Sequence, residues 1–156
     1  MTNYEERFQE KISWPISVWS LSVALCATIS FSVWAALGNV AAIAASLIQI
    51  ILLVLWSIRN SLSIDIETID RQHHLHVDGA HLPLILIKEI TVLDPSEMSR
   101  MRTRDANPRA YLALRFWVKT GVKIELADPT DPTPYWLIST KKGRELKEVI
   151  TRNLYR

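Results

Sequence analysis

Between Ile12 and Ile58 the sequence contains no aspartate, glutamate, lysine or arginine, although charged residues make up 22% of the chain. Helices of soluble proteins normally keep a polar face, so this run argues against a pair of ordinary surface helices. One membrane-spanning helix needs roughly 20 apolar residues, and the run is long enough for two. Gly38 and Asn39 divide it near the middle, and both residue types favour turns. The predicted transmembrane hairpin occupies residues 1–60, with helices at about 14–37 and 40–58.

Cysteine is also scarce. Cys26 is the only one, so no disulfide can form within the chain, which is typical of proteins facing a reducing cytoplasm. The Gly38-Asn39 connection lacks lysine and arginine, whereas Arg7, Lys11 and Arg59 flank the helices on their other side. Basic flanks stay on the cytoplasmic side of a membrane. We therefore expect a multi-pass protein of the cell inner membrane with both termini in the cytoplasm.

Small residues recur every four positions along both helices, which lets helix backbones approach closely in lipid. The stripe on the first helix consists of Ser20, Ala24, Thr28, Ser32 and Ala36, and that on the second of Ala41, Ala45 and Gln49. An antiparallel hairpin about residues 38–39 sets Thr28 level with Gln49. The sequence thus predicts a hydrogen bond between these two side chains.

The cytoplasmic part, residues 61–156, lacks the signals of catalysis. It contains no Gly-rich phosphate loop, no cysteine and no spacing typical of a nucleophile and its base. Residues 59–156 hold 16 basic and 13 acidic side chains, too small an excess to favour nucleic-acid binding. We therefore predict a non-enzymatic protein without a cofactor or catalytic residues.

The same part has the patterns of an antiparallel β domain. Residues 62–69 alternate apolar and polar side chains, as a half-buried strand does. Asp78-Gly79 is a two-residue turn signal that predicts a hairpin with His76 opposite His81. Strands are also expected at residues 85–93 and 135–139, and a helix with one apolar face at residues 143–154.

A second hairpin is predicted around Lys119-Thr120-Gly121. Pairing Val118 with Val122 places apolar residues together on one face and charge-compatible residues on the other. Altogether the sequence predicts an α+β membrane protein: a helical hairpin, then six or seven antiparallel strands closed by a C-terminal helix.

All four histidines fall between His73 and His81. In the first hairpin register, His74, His76 and His81 share one face, and three imidazoles can hold a zinc ion. No carboxylate has an obvious place beside them. We prefer a polar outer face, and a metal- or ligand-dependent enzyme or sensor remains the alternative.

The segment from Asp94 to Arg109 is expected to be a long loop, and long loops are often either functional or disordered, so a plain solvated loop is the alternative. It is rich in arginine beside a membrane whose inner leaflet is anionic. Four arginines are candidate contacts for lipid headgroups or for a partner protein: Arg100, Arg102, Arg104 and Arg109. The predicted function is a scaffold that binds membrane lipids, a membrane-associated protein or a second copy of itself.

Three prolines crowd into the run DPTDPTPYW at residues 128–136. Proline fixes φ and favours extended geometry in the residue before it. We interpret the run as a stiff crossover in which Asp128 and Asp131 cap local turns. Trp136 is expected to face the core beside Ile138, with Tyr135 nearer the rim.

Two segments carry a family resemblance. Asn107 to Val118 and Asp128 to Thr140 resemble an uncharacterised family of actinobacterial membrane proteins, catalogued as a domain of unknown function. The resemblance implies two transmembrane helices and no known activity, and it departs at Gly143, where a helix-opening proline is expected. By element order alone, the chain is also similar to bacterial pleckstrin-homology-like membrane proteins, an analogy without a shared motif.

Overall fold

A computed structural model describes residues 8–69, 72–127 and 132–154. The chain forms two compact units, one of Ser13–Ser61 and one that combines Met1–Ile12 with Leu62–Arg156. The helices are α1 (Ile16–Leu37), α2 (Asn39–Arg59), α3 (Pro95–Arg102) and α4 (Gly143–Leu154). The strands are β1 (Gln9–Ile12), β2 (Leu62–Ile69), β3 (Gln72–Val77), β4 (Ala80–Pro83), β5 (Ile87–Leu93), β6 (Tyr111–Ala113), β7 (Gly121–Leu126) and β8 (Tyr135–Ser139).

Helices α1 and α2 confirm the two predicted apolar helices. Both are long and apolar enough to cross a membrane, and none of their residues is buried within the structure. Gly38 alone joins them, with φ of 80° and ψ of −173°, a conformation essentially restricted to glycine. Trp34 Nε1 donates a hydrogen bond of 2.7 Å to Asn39 Oδ1 across this turn. The turn is therefore fixed by one glycine and one side-chain bond.

The contact between α1 and α2 uses a different face of α1 from the predicted one. Ser30 Oγ lies 2.9 Å from Ser46 Oγ and donates a bond of 3.3 Å to Gln49 Oε1. Thr28 donates instead to the carbonyl oxygen of Ala24 in its own helix. The predicted Thr28–Gln49 bond is wrong because α1 carries a second small-residue stripe through Ser30, rotated by about 200° from the first.

Strands β1 to β4 form one antiparallel sheet in the order β1-β2-β3-β4. The first predicted hairpin is confirmed in its register: β3 and β4 pair His76 with His81. Strand β1 was not predicted, and it pairs with β2 so that Ile12 lies opposite Leu62. Gln9–Ile12 therefore belongs to the sheet unit, which corrects the assignment of residues 1–60 to the helical hairpin alone. The two helices are an insertion between neighbouring strands.

The second sheet has the order β5-β7-β8-β6. The predicted hairpin around residues 119–121 is wrong, because β7 pairs antiparallel with β5 and β8 and not with the residues just before it. Those residues form a turn, in which Val118 N donates to Arg115 O at 3.0 Å. Strand β6 pairs parallel with β8, so the domain is not purely antiparallel.

All five residues of β8 are buried, because both faces of this inner strand are covered. Trp136 and Ile138 enter the core shared by the two sheets, as predicted. Tyr135 and Leu137 enter a second cluster with Met98 of α3. Placing Tyr135 at the rim was wrong because α3 was not foreseen. The caps predicted for Asp128 and Asp131 lie outside the described residues.

Helix α4 closes the domain as predicted, with Leu146, Val149 and Ile150 buried. Gly143, where the sequence resemblance predicts a helix-opening proline, begins this helix. Gly143 is buried, and a Cβ there would lie 3.2 Å from methyl groups of both Val92 and Val122. The side chain of a proline would therefore displace the two valines.

A buried carboxylate ties β1 to the start of α4. Glu10 is 8% exposed, and it accepts hydrogen bonds from the Thr140 hydroxyl and, at 2.9 Å, from Lys141 N. Lys142 N in turn donates to Thr140 Oγ1 at 3.0 Å. The residues just before the helical hairpin thus hold the connection between β8 and α4.

Candidate functional site

The arginine-rich segment begins with a helix and not with a loop. Asp94 Oδ1 accepts bonds of 2.8 Å from the backbone N–H groups of Ser96 and Glu97, and Glu97 Oε2 accepts one of 3.0 Å from Asp94 N. This is a capping box, with Pro95 at the first helical position. The bonds from Glu97 N and the Ser96 hydroxyl hold the pKa of Asp94 below its ordinary value. The loop is therefore shorter than expected, and it begins at the end of α3, a helix with a capped N-terminus.

Arg102 does not face solvent as the other three candidate arginines do. Its Nη2 donates to Val118 O at 2.6 Å and to Ser139 Oγ at 3.0 Å, and lies 3.4 Å from Arg115 O. Burial lowers the pKa of its guanidinium. We therefore assign Arg102 a positioning role, since it joins the end of α3 to the turn at residues 115–118.

Arg100, Arg104 and Arg109 are exposed. The side chain of Arg104 is 77% exposed, and its Nε lies 3.6 Å from Asp105 Oδ1, a pair that water screens. Asn107 fixes the backbone before Arg109 by accepting a 2.9 Å bond from Arg109 N, while its own N–H donates to Tyr135 Oη at 3.2 Å. Three exposed cations thus lie on a backbone segment that local hydrogen bonds hold in place.

The turn at residues 115–118, which accepts the hydrogen bond of Arg102, exposes an apolar group. Phe116 and Trp117 occupy its two central positions, and their rings meet edge to face at 4.7 Å. Phe116 is 74% exposed, whereas Trp117 packs partly against the core. Arg115 N donates to Ser139 Oγ at 2.9 Å, which secures the start of the turn. Sequence reasoning missed this turn by treating residues 114–118 as a strand.

Three of the four histidines, His74, His76 and His81, lie together on the outer face of the first sheet. The ring centroids of His76 and His81 are 5.4 Å apart, and those of His74 and His76 are 6.5 Å apart. Contrary to expectation, carboxylates accompany them: β2 places Asp65 opposite His76 and Glu67 opposite His74. Even so, among residues 8–69, 72–127 and 132–154 no three His, Cys, Asp or Glu side chains are arranged to hold a metal ion.

The domain resembles one known family along most of its length. The model of a family described as "Protein of unknown function (DUF3093)" matches residues 7–150. The chain belongs to this family. The match starts just before β1 and ends within α4, so it includes the helical hairpin and both sheets. A comparison with curated proteins found no match, and a comparison with solved structures found none either. Family membership confirms the resemblance and assigns no activity.

Proposed function

We propose that this family member is a non-enzymatic integral membrane protein whose sheet domain binds the anionic headgroups of lipids. The observation that supports this is the exposure of Arg100, Arg104 and Arg109 on a segment held by a capping box and by Arg102. A guanidinium presents a planar fork of donors that matches a phosphate. The fixed backbone lowers the ordering cost of such contacts.

The charge of this surface suits an anionic partner. Between residues 98 and 119, four basic residues (Arg100, Arg104, Arg109 and Lys119) and one acid, Asp105, are exposed. A basic residue near an anionic leaflet contributes about 1 kcal/mol, so the three exposed arginines supply about 3 kcal/mol. That amount corresponds to an affinity gain of roughly 100-fold. A membrane tether raises the gain further by keeping the domain close to lipid.

The proposal includes location in the cell inner membrane with both termini in the cytoplasm. Two observations support it. Ile12 pairs with Leu62, so the chain leaves the sheet for α1 and returns from α2 at neighbouring points. The Gly38 turn carries no basic residue, whereas Lys11 and Arg59 lie at the opposite ends of the helices. Both ends of the hairpin then face the same compartment.

We also propose a pleckstrin-homology-like architecture and an actinobacterial origin of the family. Two four-stranded sheets with a shared core and a closing C-terminal helix support the first proposal. The parallel pairing of β6 with β8 departs from a simple antiparallel meander. The second proposal rests on the sequence resemblance alone.

The test uses the full chain in nanodiscs of neutral lipid and in nanodiscs containing anionic lipid. We expect amide hydrogen exchange of residues 103–110 to slow in anionic discs. The effect should disappear at 1 M salt, where the Debye length falls to about 3 Å. It should also disappear when Arg100, Arg104 and Arg109 are replaced by glutamine.

A matched variant controls for total charge. Replacing Lys141, Lys142 and Arg144 by glutamine removes the same charge from another exposed surface of the domain and should leave the protection of residues 103–110 unchanged. Equal exchange in neutral and anionic discs would refute headgroup binding. Protection that appears only in native membranes would point instead to a protein partner or to a second copy of the chain.

A further inference from the structure

The turn at residues 115–118 has an unusual composition. Central positions of β-turns favour glycine, proline, asparagine, aspartate and serine. Here they hold Phe116 and Trp117. Burying a phenylalanine side chain stabilises a fold, and Phe116, which is 74% exposed, contributes little of that stabilisation. Local rules of this kind are most often broken at functional positions.

The neighbouring Trp117 ring and hydrogen bonds at both ends of the turn restrain the position of the exposed Phe116 ring. Trp117 packs partly against the core and meets Phe116 edge to face. Both ends of the turn are fixed, because Val118 O accepts from Arg102 and Arg115 N donates to Ser139. The side chain of Arg115 is held as well, by an ion pair of 3.0 Å with Asp78. The domain therefore presents Phe116 to solvent in a fixed position.

Two exposed cations lie near this aromatic tip along the chain. Lys119 follows the turn and is exposed, and Arg104 lies two residues beyond Arg102, the side chain that binds the turn. An apolar ring with basic neighbours suits the interfacial region of an anionic bilayer, where aromatic rings sit at headgroup level and cations meet acidic lipids. An acidic protein could pair with the cations, but it would not account for the exposed apolar ring. A bilayer accounts for both, and the chain has two helices long and apolar enough to cross one.

We infer that Phe116 inserts into the interfacial region of an anionic bilayer, beside the exposed Lys119 and the end of α3 that leads to Arg104. This inference rests on the proposed headgroup binding and adds an apolar contribution to it. The arginines and Lys119 attract the domain to acidic lipids. The ring then enters the headgroup layer, and Trp117 and Arg102 keep the turn in shape.

The test places a spin label at one position of the full chain. On a Cys26→Ala background, which removes the natural cysteine, Phe116→Cys is labelled and reconstituted in neutral and in anionic nanodiscs. Ile85→Cys supplies a matched control, because Ile85 is 76% exposed, close to the 74% of Phe116. In anionic discs we expect the label at 116 to lose several-fold of its accessibility to a water-soluble nickel reagent and to gain accessibility to oxygen. The label at 85 should stay in water.

The outcomes separate this inference from headgroup binding itself. If anionic lipid protects residues 103–110 while the label at 116 remains in water, headgroup binding stands and insertion is wrong. If neither position responds, both are wrong. Phe116→Ser provides a measurement without a label: it should melt at the same temperature as the parent chain, yet weaken the protection of residues 103–110 in anionic discs several-fold. Unchanged protection in this variant would also overturn the inference.

Discussion

A chain cut to residues 62–156 should not fold stably, although this segment contains seven of the eight strands that the structure describes. The cut removes β1, the strand that lies before the helical hairpin and pairs with β2. A second protein tests the same point by keeping β1 and removing the helical hairpin. It keeps residues 1–12 and joins Ile12 to Leu62 by an Asn-Gly pair in place of residues 13–61. Ile12 and Leu62 lie opposite each other in the sheet, and an Asn-Gly loop of two residues connects such a pair of antiparallel strands.

The size of the effect follows from two side chains. Phe8 and Ile12 are each 2% exposed, so both lie in the core. Truncating a buried phenylalanine costs about 3–5 kcal/mol and a buried isoleucine about 2–5 kcal/mol. Their combined loss of about 5–10 kcal/mol is comparable to the whole stability of an ordinary domain, about 5–15 kcal/mol. The cut also removes Glu10, which leaves the buried hydroxyl of Thr140 without its acceptor.

Circular dichroism during urea and thermal unfolding is the measurement. We expect a cooperative transition for the joined protein and none for the 62–156 fragment. In the joined protein, Phe8→Ala and Ile12→Ala should each lower the urea midpoint strongly. Gln9→Ala and Lys11→Ala supply matched controls, because these residues lie on the same strand but are exposed. A fragment that melts cooperatively at the midpoint of the joined protein would refute the assignment of β1 to the core.

Three further predictions concern single side chains. Ser30→Ala should weaken the helical hairpin by about 0.6 kcal/mol in a denaturant titration in detergent, whereas Thr28→Ala should not. Equal effects of the two substitutions would contradict the contact of α2 with the Ser30 face of α1. Trp136→Ala should destabilise the domain by about 3–5 kcal/mol in urea, against almost no change for Leu112→Ala, which truncates a half-exposed side chain. Burial, and then the charge of Asp78, raises the pKa of Tyr111 above 10.0. The folded state thus holds the Tyr111 proton more tightly than the unfolded state does. The stability from this group is therefore complete below pH 10 and is lost as pH rises through the folded pKa. Unfolding curves measured at increasing pH should show this loss in the parent chain and should not show it in Tyr111→Phe.

Sequence patterns predicted the elements whose signals are local. The turn pair Asp78-Gly79 between alternating strands fixed one hairpin, and the apolar stripe of α4 fixed one helix. The second hairpin failed because its signal was a single glycine after a run that a strand and a turn could both adopt. Gly121 begins β7, which pairs with distant strands, and no local pattern encodes a parallel partner such as β6.

The sequence indicated the four arginines as candidate contacts, but it did not predict α3 or the inward position of Arg102. The run Asp94-Pro95-Ser96-Glu97 is a capping-box signature, and attention to it would have predicted α3. Helical spacing then distinguishes the arginines, because Arg102 lies four residues after the buried Met98 and shares its face. Phe116 could not be found this way, since its turn is held by a bond that Arg102 donates and by one that Ser139 accepts, and both residues are far from it in sequence.

The pairing of β1 with β2 also imposes an order on biosynthesis. A ribosome adds about 5–20 residues per second, so residues 13–61 take about 2–10 s to emerge after β1. Throughout that interval Phe8 and Ile12 have no β2 against which to pack. The sheet domain cannot start folding from its N-terminal strand, and it is completed only after both helices have been made. Folding of the sheet domain therefore follows synthesis of the helical hairpin, and a chain stalled within the hairpin is left with its first strand unprotected.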